Sequence, residues 1–171
     1  QYKKVPKEKL IFIPNAADFS LAKQIQEDDN FDSNEFKYNL GFANKFVITY
    51  VGAHGVANHL IQLIDAAENL KDTNVVFQLI GAGMQKDTLK EEVNKRKLKN
   101  VIFRNPVPKE EVFKYILASD VGASVLKRVD TFKTIYSNKT FDYMSCKKPI
   151  LLAIDGVSRK LIEESESGIY V

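Results

Sequence analysis

Cysteine is almost absent from this chain: Cys146 is the single one among 171 residues, so an internal disulfide is excluded. A chain without disulfides fits a reducing compartment. Long apolar runs are missing as well, since no segment approaches the ~20 apolar residues of a membrane-spanning helix. Residues 1–10 lack the apolar core of a signal peptide. These absences predict a cytoplasmic protein.

A strong excess of charge is also missing. The formal net charge is +3 and the pI about 8.8, far from the dense basic stripe of a nucleic-acid binder, so we expect no nucleic-acid partner. His54 and His59 have no cysteine or acidic companion at metal-ligand spacing, so no metal site is predicted. The motifs GxSxG, HExxH and the P-loop do not occur.

What the chain does contain is a regular alternation of strand and helix patterns that starts at Phe46. Short apolar runs predict buried strands at 46–51, 75–80, 101–103, 121–126, 150–154 and 168–171. Helical patterns separate them, and one unit repeats roughly every 25–30 residues, as in βαβ folds. Continuous apolar strands favour a parallel sheet covered on both faces. The sequence therefore predicts an α/β fold, a Rossmann-like parallel sheet with helices on both faces.

Residues 1–44 differ from the rest of the chain. A short apolar run ends at Pro14-Asn15, and a polar, turn-rich stretch follows it. We interpret residues 1–44 as an interdomain linker or crossing segment and residues 45–171 as one Rossmann-like domain. The chain has no initiator methionine and ends as a sixth strand begins. We therefore expect a longer natural polypeptide, with the C-terminal end of this domain truncated.

Glycine-rich turns follow the first two predicted strands. Gly52, His54 and Gly55 lie in GAHG, where small residues let a phosphate approach backbone N–H groups at a helix start. The alternative is that these glycines only permit a tight turn. Gly81 and Gly83 lie in GAG, which is not the dinucleotide fingerprint because Lys86 replaces its third small residue. The pattern indicates a bare backbone at this edge of the sheet.

Two further loops at the same edge are candidate ligand contacts. Arg104 and Pro106 begin a stiff, proline-rich loop that could present backbone amides to a flat base, although an ordinary turn explains it equally well. The loop 127–136 is basic and rich in hydroxyl groups. Lys127 and Lys139 belong to a group of cations that would supply positive potential for a departing diphosphate. The alternative for each cation is a solvated surface position.

The most informative stretch is SNKTFDYMSCKKPIL, residues 137–151. Ser137 and Asn138 suit the capping position of a short helix, and Asp142 lies midway along that helix. A carboxylate beside a free helix N-terminus can hold a ribose and a phosphate together. The stretch therefore indicates a nucleotide-sugar site that includes Lys139.

Six segments in register carry a family resemblance. They are IPNAADF, YVGAHGVANHLIQLIDAAENL, VVFQLIGAGMQKDTLKE, NVIFRNPVPKEEV, ILASDVGASVL and SNKTFDYMSCKKPILL. The first resembles the PNGVD of a domain junction, and the last resembles PSKLFEYMAAGKPVV. Together they resemble the C-terminal donor-binding domain of group-1, retaining glycosyltransferases of the GT-B architecture, closest to bacterial members that build capsular or lipopolysaccharide-type glycans.

The resemblance implies roles for particular residues. The family has two acidic residues eight apart, of which the second holds the ribose; that position is Asp142. The first contacts the transferred sugar, and the neutral Thr134 stands there as the catalytic-position residue. The arginine and lysine that often hold the diphosphate are replaced by Ala53 and Asn58. Diphosphate binding would then depend on backbone amides near Gly55 and at 137–139, with one basic side chain.

The resemblance also implies partners. The donor would be a UDP- or GDP-type sugar, with no cofactor and no required metal. A glycan or lipid-linked acceptor would bind a second, N-terminal domain, and the full-length enzyme would be compatible with a peripheral position at the inner membrane. Three alternatives stay open: a dehydrogenase, which the broken GxGxxG disfavours; a nucleotide-sugar epimerase; and a non-catalytic nucleotide-binding domain.

Overall fold

The computed structural model describes residues 5–11, 13 and 15–171. Within them lie six strands: β1 (Phe46–Val51), β2 (Val75–Ile80), β3 (Val101–Arg104), β4 (Val121–Val125), β5 (Ile150–Ala153) and β6 (Gly168–Tyr170). The α-helices are α1 (Ser20–Gln26), α2 (Ser33–Asn39), α3 (Ile61–Asn69), α4 (Lys86–Lys95), α5 (Lys109–Leu117), α6 (Asn138–Ser145) and α7 (Val157–Glu164). Over the same residues, no helix has the length and apolar character that crossing a membrane requires.

All strand pairs are parallel, and the sheet order is β3-β2-β1-β4-β5-β6. This is the doubly wound Rossmann order, so the predicted fold class is confirmed. Successive connections run outward from β1 to β3, and the chain then returns to β4 on the other side of β1. The carboxyl ends of β1 and β4 therefore border the crevice where ligands bind in such sheets.

The sheet is buried between two helical layers. On one face, side chains of α3 and α4 such as Ile64 and Leu89 pack against β1 and β2. On the other face, side chains of α1, α5, α6 and α7 form one apolar cluster with β5, where Leu152 is fully buried. Burial on both faces explains why the central strands are nearly continuous apolar runs and why their positions could be predicted from the sequence.

Helix α6 is seated directly on β4. A side chain at Gly122 would overlap the ring of Tyr143, so this glycine lets the helix approach the strand. The Tyr143 hydroxyl donates to the Ala123 carbonyl at 3.0 Å and accepts from the Val51 amide at 3.1 Å. One buried tyrosine thus joins α6 to both strands that border the crevice.

The segment predicted as a linker contains two short helices that pack on the domain. Ala22 and Ile25 of α1 are buried against α5, in the cluster that contains Phe113. Lys37 of α2 pairs with Asp120 at 2.7 Å, just before β4 begins. Each helix has only seven residues, too short for a clear periodic pattern. Of the predicted stop, Pro14 lies outside the described residues.

Candidate functional site

The N-terminus of α6 lies at the edge of the crevice between β1 and β4. Ser137 occupies the capping position with extended backbone angles, φ −79° and ψ 121°, but its side chain caps no backbone amide. Its hydroxyl instead accepts a hydrogen bond from Lys139 Nζ at 3.2 Å. Amides in the first turn of a helix attract anions because they carry the positive end of the helix dipole. An uncapped first turn can therefore bind a phosphate group.

Lys139 reaches from α6 across to the end of β1. Its Cε would lie 3.3 Å from a side chain added at Gly52, and its Nζ lies 5.1 Å from the centre of the Tyr50 ring. Burial lowers the pKa of Lys139 to about 8, and the charge of Asp142 opposes this shift. The structure thus brings Gly52, Ser137 and Lys139 together, as the sequence predicts.

Asp142 is half-buried on the next turn of α6, with 28% of its side chain exposed. Its carboxylate lies 3.6 Å from Lys109 Nζ, at the first residue of α5. Burial raises the pKa of Asp142, while the charges of Lys109 and Lys139 act in the opposite direction. A partly exposed carboxylate between two cations can accept hydrogen bonds from vicinal hydroxyl groups. Sequence reasoning missed Lys109, because no local pattern shows that α5 and α6 meet.

Asn138 is tied to the segment that precedes the sheet. Its side-chain oxygen accepts a hydrogen bond from Asn15 Nδ2 at 2.9 Å, across 123 residues of chain. Asn15 belongs to the predicted junction motif, and nothing in its local pattern indicates this contact. The junction therefore reaches the N-terminus of α6 directly.

The structure corrects the role predicted for His54. Its ring is fully buried, with Tyr50 and Phe103 as aromatic neighbours at 6.1 and 6.0 Å. Burial, together with the charges of Lys86 and Lys90, lowers the pKa of His54 to about 4, so the ring is neutral. Its backbone N–H donates to the Ala82 carbonyl at 2.8 Å. A buried ring cannot contact a donor, and His54 instead joins two loops.

The glycines of GAG have the same structural role. A side chain at Gly81 would overlap the Gly52 carbonyl, and one at Gly83 would come within 2.5 Å of the His54 backbone. Both have positive φ, +149° and +156°. Because neither residue has a side chain, the GAHG loop can pack closely against this backbone. This packing, and not the approach of a ligand, explains why glycine occurs at both positions.

The helix after the first strand also differs from the prediction. A short 3₁₀ turn, Val56–Asn58, follows Gly55, and His59 has left-handed angles before α3 begins at Ile61. The α-helical N-terminus is therefore displaced from Gly55, because the 3₁₀ turn and the left-handed His59 separate them. Asn58 lies within the 3₁₀ turn and is half-buried. The GAHG turn therefore does not lead directly into an α-helix, whereas Ser137 immediately precedes α6.

Arg104 is likewise engaged inside the domain. Its Nε donates to Gln78 Oε1 at 2.5 Å, and the guanidinium lies over the rings of Phe42 and Tyr115. Because the Arg104 guanidinium is occupied by these contacts, the structure contradicts its predicted contact with the donor. Its carbonyl, by contrast, accepts a hydrogen bond from buried Lys86 at 2.7 Å.

Lys86 holds the ends of β2 and β3 together. Its Nζ also donates to the Gly81 carbonyl at 2.8 Å and to Asn105 Oδ1 at 3.2 Å. The loop that contains Pro106 therefore leaves β3 from a fixed point and stays exposed at the carboxyl edge. It ends at α5, whose first residue pairs with Asp142.

Most of the predicted basic loop lies beside a different pocket. This pocket has a volume of about 390 Å³, and Lys127, Arg128 and Lys133 line it together with Asp155 and Tyr170. None of its lining residues comes from α6. The structure therefore does not gather Lys127 and Lys139 around one anion.

Thr134 ends a 3₁₀ helix, Asp130–Thr134, in that loop. Its hydroxyl donates to the Thr131 carbonyl at 3.2 Å, so it closes a local turn. Gly156 and Ser158 anchor the loop: Ser158 Oγ donates to the Ile135 carbonyl at 2.7 Å, and Gly156 leaves room for the Lys133 backbone. The loop is thus fixed to the start of α7.

No three histidine, cysteine, aspartate or glutamate side chains converge in a metal-binding group anywhere in residues 5–11, 13 and 15–171. The acidic and imidazole groups of the site are instead separated: Asp142 pairs with a lysine, and His54 is enclosed by aromatic rings.

Comparison with curated proteins finds a bacterial relative. The chain is 31% identical over 101 residues to the Escherichia coli (strain K12) protein WcaI, whose name assigns it to colanic acid biosynthesis as a glycosyl transferase. The match covers 59% of this chain and 24% of WcaI. The chain thus spans about a quarter of the length of that relative.

Solved structures share the fold. Anabaena HepE in complex with UDP-glucose superposes with a TM-score of 0.75 at 22% identity, over 92% of this chain and 42% of HepE. The C-terminal domain of the group 1 glycosyl transferase LpcC from Francisella tularensis gives a TM-score of 0.67 at 18% identity, over 86% of this chain and 77% of that domain.

The family model described as glycosyl transferases group 1 matches residues 45–171. This range includes the whole sheet and every residue of α6, so the match rests on the elements that form the crevice. The chain belongs to the group 1 glycosyl transferases.

Proposed function

We propose that this chain is the donor-binding domain of a retaining glycosyltransferase that takes its sugar from a nucleoside diphosphate. The observation that carries the proposal is the arrangement on α6. A half-buried carboxylate, an uncapped first turn and a lysine with a lowered pKa meet beside the crevice between β1 and β4. These three groups match the hydroxyls and the negative charge of a nucleoside diphosphate.

In this proposal Asp142 accepts hydrogen bonds from the ribose hydroxyls. Its pairing with Lys109 favours the charged carboxylate and so opposes the burial that raises its pKa. The diphosphate lies at the first turn of α6, where the helix dipole stabilises the negative charge that the leaving group develops. The base rests against the loop of Pro106, whose position Lys86 holds.

The transferred sugar would lie near the loop that ends at Thr134. A hydroxyl at that position can bond a sugar hydroxyl but supplies no negative charge. The family resemblance supports transfer with retention of the anomeric configuration and without a bridging metal. A second, N-terminal domain would cover the donor site and bind the acceptor.

We propose that the full-length enzyme works in bacterial capsular, lipopolysaccharide or related glycan synthesis, in the cytoplasm and peripherally at the inner membrane. The names of WcaI and HepE support the class of reaction: the first refers to colanic acid biosynthesis and the second to a UDP-glucose complex. The acceptor is a glycan or a lipid-linked glycan. The chain of residues 1–171 alone is expected to bind nucleotide weakly and to transfer no sugar.

Replacement of Asp142 by asparagine tests the proposal. Calorimetry of the full-length protein with UDP, GDP and NAD should show binding of one nucleoside diphosphate and none of NAD. The asparagine variant should weaken that binding about 10- to 100-fold, because asparagine has no charge and only one oxygen that can accept from the ribose hydroxyls. Asp72→Asn, at an exposed site, is the matched control. Unchanged affinity in Asp142→Asn would contradict the ribose assignment, and analysis of the sugar product separates transfer from epimerisation.

A further inference from the structure

One basic side chain is needed to hold the diphosphate, and the proposed function leaves its identity open. We propose, on the basis of that function, that Lys139 is this cation. It is the second residue of α6 and projects over Gly52 at the end of β1. It therefore enters the crevice from the β4 side and faces the turn where the family has other basic residues.

The electrostatic setting of Lys139 favours the binding of an anion. A positive charge in the first turn of a helix is opposed by the helix dipole. Burial of its stem adds a second cost, and Asp142 on the next turn is already paired with Lys109 at 3.6 Å. Among the carboxylates that the structure describes, none lies within 4.0 Å of Lys139 Nζ. A bound diphosphate would remove both costs by pairing with the ammonium group and the helix amides together.

The other cations of this edge are less suitable. Lys109 pairs with Asp142 and is 69% exposed, and Lys133 pairs with Asp130 at 2.9 Å. Lys127 lines the pocket to which α6 contributes nothing. Ala53 and Asn58, on the β1 side, carry no charge. Lys139 is therefore the cation that both faces the crevice and has an ammonium group available for a ligand.

Lys139 has several titratable neighbours. Asp142 favours its protonated form. Tyr50, under the ammonium group, and Tyr143, on the same helix, both have a pKa raised by burial and stay neutral near pH 8. Because burial holds the Lys139 pKa at about 8, part of the free protein is deprotonated there. An anion raises this pKa, so binding above pH 8 takes up a proton and weakens as the pH rises.

The test compares Lys139→Met and Lys139→Arg with the wild-type full-length protein, by calorimetry with UDP or GDP and with the matching nucleoside. Methionine keeps the stem without the charge and should weaken diphosphate binding about 10- to 100-fold, with nucleoside binding unchanged. Arginine stays charged between pH 7.5 and 9. The Lys139→Arg variant should therefore keep most of the diphosphate affinity, and that affinity should not fall over this pH range. Lys99→Met, at an exposed site before β3, is the control.

Proton uptake provides a second readout that needs no variant. Titrations of the wild type at pH 8.5 in two buffers of different ionisation enthalpy should give different binding enthalpies with the diphosphate and equal ones with the nucleoside. Equal diphosphate affinity in wild type and Lys139→Met, or equal losses for diphosphate and nucleoside, would overturn the assignment while the proposed function stands. A wild-type protein that binds no nucleoside diphosphate would instead overturn the proposed function, and this assignment with it.

Discussion

Buried ionisable side chains around the crevice are specialised in opposite ways. Lys139 and Asp142 are each held away from their ordinary pKa by burial, yet both keep part of their surface open to a ligand. His54 is buried at the same end of the sheet, but its ring is fully enclosed and neutral. The first two can therefore act on a ligand, whereas His54 acts only through the loops that it joins.

His54 should make the domain sensitive to acid. Its folded-state pKa of about 4 lies below the ~6.5 of an unfolded chain. Stability is therefore unaffected above pH 6.5 and is lost as the pH falls from about 6.5 towards 4, because only the unfolded state takes up the proton. We expect this to cost about 1–3 kcal/mol of unfolding free energy by pH 4.

The His54→Phe variant isolates this contribution, because phenylalanine fills a similar volume between Tyr50 and Phe103 and cannot titrate. Urea denaturation at pH 7.5 and pH 4.5 should show a smaller loss on acidification in the variant than in the wild type. Because both proteins contain the same carboxylates, the difference between their two losses of stability excludes the contribution of carboxylate titration. Equal losses in both would show that His54 already carries a proton in the folded protein.

At the scale of elements, α6 is the helix on which the site depends. It is positioned by Gly122 beneath it and by Tyr143, which bonds both β1 and β4. Because Lys139 and Asp142 lie on this one helix, a small shift of α6 would displace the proposed phosphate and ribose contacts together. Packing on β4 and ligand binding are thus coupled through one side chain.

A Gly122→Ala substitution should therefore reduce stability and donor binding together. The new methyl group would overlap the Tyr143 ring, and overpacking of this kind costs about 1–3 kcal/mol. Tyr143→Phe keeps the ring volume but leaves the Val51 amide without this partner, at a cost of about 1–3 kcal/mol. Urea unfolding and calorimetry with the nucleoside diphosphate measure both effects. If Gly122→Ala leaves both unchanged, α6 can shift on β4 without loss, and the coupling is refuted.

The central strands β1, β2 and β4 could be predicted from the sequence because each is a short run of mostly apolar residues buried on both faces. The start of α3 could not, since the 3₁₀ turn Val56–Asn58 and the left-handed His59 have no periodic signal. For the candidate site, helix α6 and the position of Asp142 on it were predicted from the chain alone, and the ribose role of Asp142 stays a prediction. Arg104 was misassigned because a sequence pattern does not show which face of the sheet a side chain occupies, and Lys109 was missed because its contact crosses between helices.

At the scale of the whole molecule, residues 15–44, which precede the sheet, pack on the folded unit. Helix α1 covers the layer of α5, and Asn15 reaches the first residue of α6. The family model begins at residue 45, after both helices. The family match and the physical unit therefore differ at their N-terminal boundary, and the predicted linker over residues 1–44 can be tested as a structural part of the domain.

Two chains that begin at Asn15 and at Lys45 should differ in stability. The shorter chain lacks α1 and α2 and so exposes the α5 surface that Ala22 and Ile25 cover. It also leaves Asp120 without Lys37. Loss of one buried isoleucine and its neighbours is worth about 2–4 kcal/mol. Urea unfolding should show this decrease, and binding of an apolar dye should rise.

Ile25→Ala in the longer chain should reproduce about 2 kcal/mol of this decrease, whereas Lys23→Ala, at an exposed position of the same helix, should change stability little. Equal stability of the two chains would mean that residues 15–44 cover the domain without stabilising it.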